Sequence, residues 1–155
     1  MKFAATLVAI TLVFFSSLAF AESAEDLKRN IVLDQRKLVV MENLPLSDQE
    51  SEKFWPVFRD FQGNLYNLES KNVELISFYL NKYKDNSLTD EQAATMIEAY
   101  FALADNRQRL IKDFAFALDL EKVLPVKKIF RYLQIQQKID AIEQYEISKK
   151  MPLLE

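Results

Sequence analysis

Neither cysteine nor histidine occurs in the 155 residues, and glycine occurs once. Without cysteine there is no disulfide, no lipid-modified thiol and no thiolate nucleophile. Without histidine, the zinc, copper and haem sites built on imidazole are excluded. The two absences together remove the triads and dyads that need an imidazole or a thiolate. The expectation is no catalytic residue, no metal and no cofactor; an enzyme here would have to rest on a carboxylate pair assembled only by the fold. One glycine cannot build a phosphate-cradling loop. Positive charge is not in surplus either: 20 basic residues face 23 acidic ones, for a net charge of −3. That balance argues against a dedicated nucleic-acid binder. What the chain does have is apolar material, with half its residues hydrophobic and 12 phenylalanines among them. A domain without disulfides must be held by such a core.

Residues 1–21 read as a secretory leader. Lys2 precedes an apolar run too short for a comfortable membrane span, and Ala19-Phe20-Ala21 fits the small-x-small cleavage rule. Cleavage after Ala21 would leave 22–155 as a single domain. Among charged side chains it would remove only Lys2, taking the net charge from −3 to −4. No later segment is apolar enough to cross a membrane.

The longest element spans 48–84. Ser47 and Glu50 form a capping box at its start. Behind them Phe54, Phe58, Phe61, Leu65, Leu68, Asn72, Leu75 and Tyr79 alternate in steps of four and three, which sets one face of a helix toward its partners. Pro56 lies past the first turn, so a kink is expected near Glu52–Trp55. Gly63 either permits a close helix approach or only lowers helix propensity. Trp55 reads as core or interface packing in preference to a ligand-facing aromatic. A helix of 37 residues would be ~55 Å long, against roughly 36 Å for the diameter of a compact globule of this size. The molecule is expected to be elongated, bent at Pro56 or Gly63, or dimeric.

Three further helices are expected. The first covers about 24–42, capped by Ser23, with Leu27, Ile31, Leu38 and Met41 on its inner face and Asp34 among them at a solvated margin. The third covers about 90–121. Thr89 and Gln92 cap it reciprocally, Ala93, Ile97, Tyr100, Ala104, Ile111, Phe114 and Leu118 form its face, Met96, Phe101 and Leu110 widen the stripe, and Asp105 lies four residues before Arg109. The fourth covers about 126–149, with Pro125 at its first position and Tyr132, Ile135, Ile139 and Ile142 inward. Lys127, Lys128 and Arg131 near its start read as solvated surface. The fold class is all-α, four helices in an elongated antiparallel hairpin or bundle.

Leu88-Thr89-Asp90-Glu91-Gln92 matches the L-T-x-x-Q motif, and the chain resembles the Spy/CpxP family of periplasmic chaperone-like and stress-adaptor proteins. The segment from Leu46 and Ser47 to Glu50 resembles a degenerate first copy. A branch of exported proteins with the pattern N-L-x-L-S/T-x-x-E-x-x-x-F-W-P-V-F/Y is more similar still, and Asn43 to Phe58, including Phe54, Trp55 and Pro56, fit it. The same branch shows L-P-x-K-K-x-x-R-F/Y-L-Q, which Leu124, Pro125, Lys127, Lys128 and Arg131 match, and a closing Y-E-x-x-x-x-x-P-L from Tyr145 to Leu153. The resemblance implies a cradle-like homodimer in the periplasm, shielding unfolded clients without ATP. The alternative it implies is an adaptor that binds one protein partner, such as a sensor domain. Which residues would touch a client is not readable from the sequence.

Overall fold

The computed structural model describes residues 26–154. The expected leader and the Ser23 cap lie outside them. Every element among the described residues is a helix: α1 over 26–43, α2 over Asp48–Lys84, α3 over Asp90–Leu120 and α4 over Val126–Ser148. The all-α expectation holds, and the boundaries of α2, α3 and α4 and the end of α1 are met to within a residue or so; the expected start of α1 near 24 lies outside the described residues. By internal contacts the chain divides into Met1–Leu38 and Val39–Glu155, a division that falls inside α1.

In the first unit the described part is helix. Leu27, Ile31, Asp34 and Leu38 are all exposed. The expected inner face therefore points outward. Arg29, Val32, Leu33 and Arg36 are the described residues of this unit that lose solvent. The phase went astray because an arginine stands in the shielded strip, which makes that strip look polar.

In the second unit, α2, α3 and α4 run up, down and up. Phe61 stacks on Phe114 with centroids 4.2 Å apart, and Phe114 meets the Tyr132 ring at 5.2 Å. Val40, Leu44, Phe54, Phe58, Leu65, Leu118, Leu124, Ile129 and Ile135 complete one buried cluster, with Leu46 and Trp55 packed against it. The face expected for α2 is the face used, as far as Leu65. Beyond that, only Tyr79 is buried on this helix.

Two inner faces need correction here. On α3 the shielded residues of the first half are Gln92, Ala93, Met96, Ala99 and Leu103, followed by Arg107; Ala93 is as expected, whereas Ile97, Tyr100 and Ala104 are exposed. On α4, Ile142 is exposed as well.

The caps form as their chemistry dictates. The Ser47 hydroxyl accepts from the Glu50 N–H at 3.3 Å, and the Glu50 carboxylate accepts from the Ser47 N–H at 2.7 Å. Thr89 and Gln92 exchange the same bonds at 3.2 Å. Pro125 is the N-cap of α4, one position earlier than expected, and its carbonyl accepts from Lys128 and Ile129. Its missing donor costs nothing there. Arg109 bonds Asn106 in place of Asp105.

α2 passes unbroken through Pro56 and Gly63. Pro56 is exposed, so its ring stands on the solvent side, where water can serve the carbonyl that its missing N–H leaves unpaired. Gly63 is buried, which places the residue without a side chain where space is shortest. With glycine spent there, the two helix exits use other residues at positive φ: Asn86 at 46° and Lys122 at 52°. In both exits the following N–H reaches back five residues, Ser87 to Lys82 and Val123 to Leu118, each at 2.9 Å. That is the bond of a Schellman motif.

Candidate functional site

Most of the motif residues gather at one corner of the second unit. Glu50 is the centre of it. The Oε2 atom that caps α2 also accepts from Lys128 Nζ at 2.5 Å, joining the start of α2 to the start of α4. The Lys128 ammonium, with the Ser47 N–H after it, holds the Glu50 carboxyl below the ordinary carboxylate range. Beside it Arg131 Nε donates at 2.6 Å to the carbonyl of Asn43, the last residue of α1, satisfying an acceptor that the helix end leaves open. Half-buried Lys128 thus fastens two helices, and Arg131, exposed as expected of solvated surface, also ties α4 to the end of α1. Lys127, next to them, is exposed.

Beneath this corner Phe54 lies against Trp55 at 5.0 Å and Tyr132 at 5.8 Å, and Trp55 stands edge-on to Phe58 at 5.4 Å. Leu44 and Leu124 are buried in the same cluster. The structure therefore brings Leu46, Ser47, Glu50, Phe54, Trp55, Leu124, Pro125, Lys128 and Arg131 together as a closure for the bundle. Leu88, Thr89 and Gln92 are not with them. They sit at the turn between α2 and α3, where they start a helix.

A polar layer crosses the middle of the bundle, and the sequence did not reveal it. Gln62 Nε2 donates to the Tyr132 hydroxyl at 3.3 Å and to Gln136 Oε1 at 3.4 Å, and that hydroxyl donates to Gln136 Oε1 at 3.0 Å. Gln136 Nε2 donates to Asp140 Oδ1 at 2.8 Å. Arg107 on α3 donates to the same oxygen at 2.5 Å and lies 3.9 Å from Glu69 on α2. Tyr132, Gln62 and Gln136 are almost wholly buried. The available signal was the spacing of Tyr132, Gln136 and Asp140, three polar groups four residues apart beside an isoleucine stripe.

The remaining distinctive feature is apolar surface. Ile97, Tyr100, Phe101, Phe116 and Leu120 on α3 and Phe130 on α4 each expose more than half of their area. Tyr100 and Phe101 pack edge to face at 5.3 Å. Beside Phe116 and Leu120 an open recess of about 570 Å³ is bounded also by Asp113 and Lys122. Among the described residues no group of His, Cys, Asp or Glu is placed to hold a metal ion, and no helix is long and apolar enough to cross a membrane.

Comparison with known protein families, curated proteins and solved structures returned no match to this chain.

Proposed function

We propose that the protein is an ATP-independent, chaperone-like binder of unfolded or stress-exposed proteins, acting in the periplasm as a homodimer and carrying no catalytic site. The observation that carries the reading is the exposure of Ile97, Tyr100 and Phe101 in the first half of α3, of Phe116 and Leu120 near its end, and of Phe130 on α4. Single exposed apolar residues are ordinary, whereas grouped aromatic ones, here Tyr100 packed on Phe101, mark a surface that meets other apolar surface. Such a surface works by covering the apolar segments that aggregate during folding. It needs neither nucleotide nor nucleophile, in keeping with a chain that lacks histidine, cysteine and glycine-rich loops. The leader-like start and the motif resemblance support the compartment and the dimer.

The test is light scattering of a denatured protein diluted with and without an equimolar amount of residues 22–155. Suppression without ATP is expected, and Phe101→Ser with Phe116→Ser should weaken it while leaving the thermal midpoint within a few degrees. Undiminished aggregation at several-fold excess, with one periplasmic partner bound tightly, refutes the chaperone reading and leaves the adaptor in its place.

A further inference from the structure

The second unit is packed unequally along α2. Its buried cluster ends at Leu65, and the polar layer of Glu69, Arg107 and Asp140 lies just beyond. Past that layer the inward residues, among them Leu75, Ile76, Met96, Ala99, Leu103 and Ile147, are only half-buried. Tyr79 is the exception, and it stands outside the cluster. The residues after α4 lie against it. Lys150 and Met151 wind off the helix end through bonds to Ile147 and Ser148. The carbonyl of Pro152 then accepts from the Tyr79 hydroxyl at 2.6 Å, across 73 residues of sequence. Met151 and Pro152 are half-buried, while Leu153 is 87% exposed.

We propose that residues 149–154 are a latch over the far end of the α2–α4 pair, held by the bond from Tyr79 to Pro152, and that its release uncovers the half-buried apolar residues to a client. Proline has no N–H to give, so this contact rests on a single accepted bond. A region with few fully buried side chains opens at a lower free energy than the packed core does. Loss of one such bond changes an opening constant by about two- to twelvefold. The latch would add a second, covered apolar surface to the exposed one assigned above, and it rests on that reading for its purpose, though not for its existence.

Hydrogen exchange and an apolar fluorescent dye, applied to the full chain, test it. In Tyr79→Phe, amides of 70–84 and 139–150 should exchange about two to twelve times faster, while those around Phe58 and Phe114 keep their rates. Dye fluorescence should rise, and aggregation should be suppressed at a lower molar ratio. Pro152→Gly, which loosens the other side of the contact, should act in the same direction. Tyr83→Phe is the control, because its ring lies 6.0 Å from that of Tyr79 on the same helix, and it should change nothing. Unaltered exchange in both latch variants, or a rise spread evenly over the chain, overturns the latch. Local opening with no gain in suppression overturns its gating role while the chaperone reading stands. If the unaltered chain suppresses nothing, the chaperone reading fails, and exchange and dye binding alone decide the latch.

Discussion

Tyr132 is fully buried, and its hydroxyl both accepts from Gln62 and donates to Gln136. Tyr132→Phe removes that hydroxyl and little else, because the ring keeps its contacts with Phe54, Phe58, Phe61 and Phe114. Gln62 Nε2 still reaches Gln136 Oε1 at 3.4 Å, so neither amide is left without a partner. The cost should be that of one or two net hydrogen bonds, about 1–2 kcal/mol. Gln136→Leu is different. It leaves the Tyr132 hydroxyl without its acceptor in a buried place, and one such orphan costs about 1–3 kcal/mol. Gln62→Leu similarly removes a donor from the hydroxyl and from Gln136. Replacing all three by Leu, Phe and Leu removes their mutual donors and acceptors together, and Asp140, which loses Gln136, keeps Arg107. That triple variant should fall within about 1–2 kcal/mol of the unaltered chain, well short of the sum of the single losses.

Urea unfolding followed by far-ultraviolet circular dichroism measures this, with the slope checked for constancy so that the midpoints report stability alone. A triple variant destabilised by the full sum would refute the reasoning. It would mean that the layer's contribution is attractive in itself and does not come from avoiding orphaned groups.

The Glu50–Lys128 pair gives a pH prediction. The folded-state carboxyl is held below its ordinary 4.5, so the pair's contribution is complete above about that pH and is lost as acid protonates Glu50 in the folded chain. Lys128→Met should therefore be less stable than the unaltered chain at pH 7, with the gap closing below pH 4.5; a gap that stays constant down to pH 3 would contradict the pairing. Lys122 holds a positive φ at the exit of α3, where glycine is preferred. Lys122→Gly should raise stability by about 1 kcal/mol in thermal or urea unfolding, and a loss would show that the αL position is not under strain.

The helix boundaries were legible because local chemistry writes them: Ser47 with Glu50, Thr89 with Gln92, and prolines at 45 and 125. The packed face of α2 was legible for the same reason, since Phe54, Phe58, Phe61 and Leu65 leave only one phase open. Two other faces were misread, and for a shared cause. On α1 and on α3 the strip turned from solvent carries an arginine, Arg36 in one and Arg107 in the other. A count of apolar residues therefore favours the wrong side. What satisfies Arg107 is Asp140, 33 residues away, and no window of a single helix contains both. The role of Lys128 was hidden in the same way, because its carboxylate stands 78 residues earlier. Pairing across helices is where single-helix patterns stop informing.

The distances along the chain between these partners also order events in time. Phe61 and Phe114 lie on helices joined by one short turn, so α2 and α3 can zip together as soon as both exist. Gln62 must wait for Gln136, 74 residues on, and Tyr79 for Pro152, at the very edge of the described chain. Closing the longer loops is slower, and chains are made from the amino end. A growing chain therefore passes through a hairpin whose Gln62 amide lacks Gln136 and the Tyr132 hydroxyl, and whose Phe54 and Phe58 await the ring of Tyr132. The docking of α4 converts that open hairpin into a committed bundle. Fidelity of assembly is thus concentrated in its last helix.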